Sequence, residues 1–242
     1  MSIFDIFNRK TRKHLLEPYC TLVIGDRGAG KSSLFALAAE AYLKLGYQVY
    51  CQYPYEGVNM IPMKARDYNG VTKYDIDKEW LYGADLHDCV VMIDECRTIW
   101  PARGYAKWTQ ADDEFFNFLR KYNMRLFLAT QIYDAVDLNV RRASDETLYL
   151  TKGLLHYTRI EASRTTVAKV ADRNTEVLGL GFKKGFRKVA YDVCEVPIGR
   201  YRFYRKKYYG KFSTAHTYED KKKIEPIHWN NVFDFKKGTF IT

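Results

Sequence analysis

Gly25-Asp26-Arg27-Gly28-Ala29-Gly30-Lys31-Ser32 is the stretch that decides the fold. It satisfies G-x-x-x-x-G-K-[ST] at every fixed position. Upstream, Tyr19 to Ile24 (YCTLVI) is a short apolar run of β-formers and predicts a buried strand. Downstream, Leu34, Leu37, Ala38, Ala41 and Leu45 recur on one helical face from Gly30 until Gly46 stops the pattern. A strand–loop–helix of this kind has a physical use. The glycines let the backbone curl until successive N–H groups point at phosphate oxygens, and the helix start adds its dipole. Gly25, Asp26, Arg27, Gly28, Ala29, Gly30, Lys31, Ser32 and Ser33 are the expected ATP contacts. Lys31 would reach the β- and γ-phosphates and the Ser32 hydroxyl would ligate Mg²⁺. A chance glycine loop is the bland alternative, and the flanking pattern weighs against it.

Two further apolar strands end in polar residues. Cys89 to Ile93 runs into Asp94 and Glu95. An acid at a strand's C-terminal end suits the Mg²⁺ shell, which is the role expected of Asp94. Glu95 is the expected general base for the attacking water. Simple capping of the next turn is the commoner use of such a pair, and the upstream phosphate loop tips the reading to catalysis. Phe127 to Thr130 ends in Gln131, which in a parallel sheet would close on the same edge and sense the γ-phosphate or orient water. Arg141 and Arg142 follow. An arginine donated to a neighbouring subunit's nucleotide and a solvated surface pair stand as equal readings of them.

Strands at Tyr47 to Tyr53 and Glu146 to Leu150 and a helix over Asp112 to Tyr122 complete an alternation that implies a parallel sheet covered on both faces. Pro54 to Gly83 reads as a long connection with one short helix. After Thr151 the period changes to two, with His156 to Ser163, Arg187 to Val196 and Gly199 to Tyr209 as antiparallel ribbons. The expected class is α/β, a central parallel sheet with a C-terminal antiparallel β appendage. The boundaries are an extension over 1–17, a core over 18–151, a basic β-rich part over 152–217 and a polar tail over 218–242.

Charge follows these boundaries. Residues 1–150 hold 19 Lys and Arg against 20 Asp and Glu, whereas residues 151–242 hold 20 against 9. The whole basic excess therefore sits in the last part, which suggests a neutral engine joined to a surface for a polyanion. Arg200, Arg202, Arg205, Lys206 and Lys207 alternate with aromatics before Gly210. Cations neutralise phosphates and rings stack on bases, but a two-faced hairpin with rings inward gives the same alternation. The five cysteines show no C-x-x-C pairing and read as reduced, buried thiols rather than metal ligands. No apolar run approaches the ~18 residues that cross a bilayer. The first eight residues lack the apolar core of a secretory signal.

Together GDRGAGKS, VVMIDE, FLATQ and DLNVRR, with the Tyr208 to Thr217 stretch, resemble the zonula occludens toxin-like ATPases. These are the filamentous-phage assembly proteins of the FtsK–HerA group. The resemblance spans about residues 18 to 217 and implies a RecA-like sheet and a ring oligomer, expected to be a hexamer. It also implies a motor on single-stranded phage DNA, working in the bacterial cytoplasm or peripherally at the inner membrane, with membrane or coat proteins as further partners. Family members in that role continue into a membrane-spanning helix, and these residues contain none. Two other readings stand beside the motor: a P-loop kinase of a small metabolite, and an interaction module merely ordered by nucleotide.

Overall fold

A computed structural model describes residues 3–69, 71–83, 86–102, 108–170, 190–213 and 228–241. The chain begins with α1 (Ile3–Leu15), β1 (Cys20–Gly25), α2 (Lys31–Leu43), β2 (Gln48–Cys51) and β3 (Asn59–Met60). A hairpin follows, β4 (Met63–Tyr68) and β5 (Val71–Ile76), then α3 (Lys78–Gly83) and β6 (Cys89–Ile93). Next come α4 (Gln110–Phe118), β7 (Arg125–Thr130), α5 (Leu138–Ala143) and β8 (Glu146–Lys152). Two long strands, β9 (Tyr157–Val170) and β10 (Ala190–Tyr204), precede a short closing hairpin, β11 (Phe233–Asp234) and β12 (Thr239–Phe240).

Eight strands form one sheet in the order β10-β9-β8-β1-β7-β6-β2-β3. From β8 to β3 every neighbour is parallel, whereas β8–β9 and β9–β10 are antiparallel. The strand order separates β1 from β6 by β7, so the ends of the three strands that matter chemically lie side by side. That is the RecA-like arrangement, and the antiparallel pair extends the same sheet.

Side-chain alternation explains the two layers. In β1, Cys20, Leu22 and Ile24 face the layer of α4 and α5, while Val23 faces α2. Helix α2 is apolar nearly all round because α1, the sheet and a 3-10 turn at Arg205–Tyr208 enclose it. Leu34, Phe35, Leu37, Ala38 and Tyr42 are each at most 1% exposed. Each such large side chain contributes about 1.5–3 kcal/mol by leaving water.

The amphipathic N-terminal extension is helix α1. It lies along β10, where Thr11 Oγ1 donates to the Arg202 carbonyl at 2.8 Å and Tyr204 N donates to Asn8 Oδ1 at 2.8 Å. The long connection expected over residues 54–83 holds β3 and the β4–β5 hairpin as well as the short helix α3. Of the ribbons expected at 187–196 and 199–209, residues 187–189 lie outside the described residues, and the rest up to Tyr204 is one strand, β10. In the tail, Trp229 is wholly buried and its Nε1 donates to the Cys51 carbonyl at 3.0 Å. Residues 214–217 of the family-like stretch and residues 218–227 of the expected polar tail lie outside the described residues. Among the described residues no helix is long and apolar enough to cross a membrane.

Candidate nucleotide site

The loop between β1 and α2 sits at the C-terminal edge of the parallel strands. Gly28 (φ 74°) and Gly30 (φ 112°) take the left-handed conformation that turns the chain back on itself. A side chain at Gly30 is excluded twice over, since its Cβ would lie 2.5 Å from Thr158 Oγ1 and 2.6 Å from Arg205 Cδ. Gly30 is also the N-cap of α2, and no side chain caps that end, so the first-turn N–H groups face the loop. Lys31 is 9% exposed, and its Nζ donates to the carbonyls of Gly25 (2.6 Å) and Asp26 (3.3 Å). A cation is thus seated inside a ring of backbone dipoles. Asp26, Arg27 and Gly28 form the exposed lip, Ser32 is half-buried, and Ala29 and Ser33 are buried.

Asp94 and Glu95 follow β6 at the same edge. Burial pushes the Asp94 carboxyl up, the Lys31 ammonium opposes that, and the Glu95 charge adds to it. Glu95 has φ 51° and ψ 49°, a left-handed backbone that costs a non-glycine residue about 1–2 kcal/mol. The kink separates the directions of two consecutive carboxylates. Gln131 Nε2 donates to Glu95 Oε1 at 2.7 Å, and Arg97 Nε lies 3.2 Å from Glu95 Oε2. Gln131, just beyond the end of β7, therefore grips one oxygen of Glu95 directly.

Two residues not singled out from sequence, Gln52 and Thr158, belong here, together with Arg205. Gln52, just past β2, donates to the Asp94 carbonyl at 2.9 Å. Thr158 Oγ1 donates to the Ala29 carbonyl at 2.6 Å, and Arg205 Nη1 donates to the Gly28 carbonyl at 2.6 Å. Arg205 was expected on a nucleic-acid surface, but it is only 6% exposed and braces the phosphate loop from behind. Its parity was the available signal, because Tyr201, Phe203 and Arg205 share one side of a period-two pattern. Gln52 repeats the signal of Gln131, a polar residue closing an apolar strand.

The remaining expected residues lie elsewhere. Arg200, Arg202, Lys206 and Lys207 are exposed, whereas Phe203 and Tyr208 are buried, so those rings face the core rather than solvent. Arg200 Nε pairs with Glu161 at 3.3 Å, and Lys207 Nζ is 3.8 Å from Glu40. Arg141 and Arg142 occupy the last turn of α5, which returns the chain to the opposite edge, where β8 begins. Arg141 pairs with Asp134 at 3.0 Å and lies over the Tyr133 ring at 4.7 Å. Arg142 is exposed and lines a hollow of about 460 Å³ with Arg120, Arg164 and Tyr19.

The donors fit a nucleotide with a hard cation. The half-buried Ser32 hydroxyl at the start of α2 and the Asp94 carboxylate after β6 offer oxygen ligands only, the set Mg²⁺ shares with phosphate oxygens. Among the described residues no cluster of three or more His, Cys, Asp or Glu forms a self-sufficient metal cage. The cysteines are free, and burial pushes the thiols of Cys20 and Cys89 up to about 12.

The family model "Zonular occludens toxin (Zot)" matches residues 21–183. No curated protein matches the sequence. Among solved structures, the N-terminal domain of zonular occludens toxin from Neisseria meningitidis is 17% identical, with a TM-score of 0.45, 59% of this chain covered and 81% of that one. The genome-packaging NTPase B204 of Sulfolobus turreted icosahedral virus 2, in complex with ATP-gammaS, is 18% identical with a TM-score of 0.42, covering 56% and 77%. The flagellar accessory protein FlaH of Methanocaldococcus jannaschii is 13% identical with a TM-score of 0.34, covering 63% and 82%.

Proposed function

We propose, from the premise that this chain belongs to the zonular occludens toxin family, that it hydrolyses ATP and uses the energy to move single-stranded phage DNA. The observation that carries the reading is the 2.7 Å bond from Gln131 to Glu95 at the sheet edge that also bears Lys31 and Asp94. Backbone N–H groups of residues 28–33 and the Lys31 ammonium hold the phosphates. Ser32 and Asp94 would hold Mg²⁺, which would supply positive charge against the phosphate oxygens. Glu95 takes the proton of the attacking water, and Gln131 fixes which carboxylate oxygen faces it. A metabolite kinase needs no such water-directed pair, which favours hydrolysis over phosphoryl transfer to a small molecule.

The DNA assignment rests on family and charge. Residues 151–242 carry 20 Lys and Arg against 9 Asp and Glu, and Arg200, Arg202, Lys206 and Lys207 are exposed. A ring, taken as a hexamer, would bring such surfaces together around a strand. The test is phosphate release titrated with single- and double-stranded DNA at two salt concentrations. Single strands should stimulate turnover, and binding should weaken with salt at about −0.7 in log–log slope per phosphate contact. Hydrolysis indifferent to either DNA would remove the motor and leave an ATPase. No hydrolysis with tight nucleotide binding would leave the ordered module.

A further inference from the structure

The β8–β9 turn presents Leu154 and Leu155 to solvent, each 82% exposed, more than any other large hydrophobic residue among those described. The turn is strained for this display. Leu155 (φ 51°) and His156 (φ 64°) are consecutive non-glycine residues in the left-handed region, where each pays about 1–2 kcal/mol that glycine would avoid. It is also rigid. Gly153 N donates to the Tyr157 carbonyl at 2.9 Å, Tyr157 N donates to the Leu154 carbonyl at 3.0 Å, and Arg205 N donates to the His156 carbonyl at 2.9 Å. An observed outlier held in place this firmly points to use.

Behind the tip, Phe7, Tyr157, Arg159 and Arg202 line a hollow of about 260 Å³ with the two leucines. Arg159 and Arg202 are direct partners in the β9–β10 register, and both are exposed. Like charges directly opposite one another repel. Among the described residues neither has an ion-pair partner, so an external anion would relieve the pair. Ile6, 55% exposed on α1 next to Phe7, adds apolar surface beside it.

We propose that this tip docks the protein on an anionic phospholipid surface, the leucines entering the acyl boundary and the arginine pair meeting the headgroups. Lipid satisfies both halves of the patch. A nucleic acid would neutralise the arginines but leave the leucines in water. A second copy of the same patch would set arginine against arginine. The inference is independent of the nucleotide reading.

The test is sedimentation of this 242-residue chain with vesicles of mixed phosphatidylglycerol and phosphatidylcholine, against pure phosphatidylcholine. Wild type should bind the anionic vesicles, more weakly at high salt. Leu154→Ser with Leu155→Ser should weaken binding at least about tenfold, the effect of half-burying two leucines. Arg159→Gln with Arg202→Gln should remove the preference for anionic lipid. Leu154→Trp should retain binding, with its emission shifted to the blue. Absence of wild-type binding, equal affinity in the serine variant, or an unshifted tryptophan would overturn the proposal. So would loss of DNA binding or self-association in the serine variant with vesicle binding intact.

Discussion

Asp94 and Glu95 are neighbours in sequence with different partners, Lys31 acting on the first and Gln131 and Arg97 on the second, and that contrast yields predictions at single residues. Glu95→Gln keeps the hydrogen-bonding shape, so nucleotide should still bind while turnover falls about 10²-fold or more, read by single-turnover phosphate release. Asp94 has its carboxyl raised by burial, so its ionised form is the costly one. Above the ordinary aspartate value that cost is present, and it is relieved as pH falls through the raised one. Asp94→Asn should therefore raise the melting temperature at pH 7 without ligand, at roughly 2–4 °C per kcal/mol relieved, while abolishing metal-dependent turnover. An unchanged or lower melting temperature would contradict the burial argument. Arg205 and Thr158 invite a different variant. Arg205→Gln or Thr158→Val removes one buried donor to the phosphate loop, so nucleotide affinity should drop about tenfold in a fluorescent-nucleotide titration. The turnover rate at saturation should change far less, because these side chains hydrogen-bond to the carbonyls of Gly28, Ala29 and His156 and not to Glu95 or Gln131.

At the scale of elements, α4 depends on one carboxylate. Thr109 and Asp112 form a reciprocal capping box, and the fully buried Asp112 also accepts from Trp100 Nε1 at 2.7 Å, Lys78 Nζ at 3.0 Å and the Tyr82 hydroxyl. Burial alone would push this carboxyl up, but the hydrogen bonds from Tyr82, Trp100 and Thr109 hold it well below the ordinary range. Its contribution is therefore complete above the unfolded value of 3.8 and disappears as pH falls below that through the folded one. Asp112→Ala should cost about 2–4 kcal/mol in denaturant melts at pH 7, from the lost cap and the stranded donors. The sequence pattern made Thr109 and Asp112 hard to find, since the helix was read as starting at Asp112. Elements with one dominant periodicity were legible: β1, α2, β6 and β7 all lie within a residue or two of their expected bounds. The β4–β5 hairpin was not, because Lys64, Arg66, Asp67, Lys73 and Asp75 leave too little apolar contrast for a period of two. Asn69-Gly70 was the readable turn signal there. Helix α1 reads from sequence only as an extension, since its partner β10 lies nearly two hundred residues away. The polar residues ending strands were legible as a site, whereas Arg205 and Thr158 reach it through tertiary packing alone.

At the scale of the whole molecule, the parallel sheet gives the protein two unlike edges. One carries Lys31, Asp94, Glu95 and Gln131, and α5 carries the chain away from it to the other, where Arg142 shares a hollow with Arg120 and Arg164. An arginine there serves nucleotide only if it belongs to a neighbour. The two candidates are not equivalent. Arg141 is committed to Asp134 and the Tyr133 ring, so Arg141→Ala should lower stability. Arg142 is exposed, so Arg142→Ala should leave the melting temperature within about 1 °C and cut turnover on the order of 10³-fold if it acts across a subunit boundary. Mixing separates a trans role from damage inside one subunit. Arg142→Ala subunits keep Glu95, and Glu95→Gln subunits keep Arg142. In a random mixed ring about a quarter of the interfaces pair an intact Glu95 with an intact arginine. Two individually inactive preparations should therefore recover up to that share of wild-type turnover, and more slowly as the mixture is diluted below the concentration at which rings form. No recovery from a mixture shown to co-assemble would place Arg142 outside the reaction and leave it among the ordinary solvated arginines of that edge.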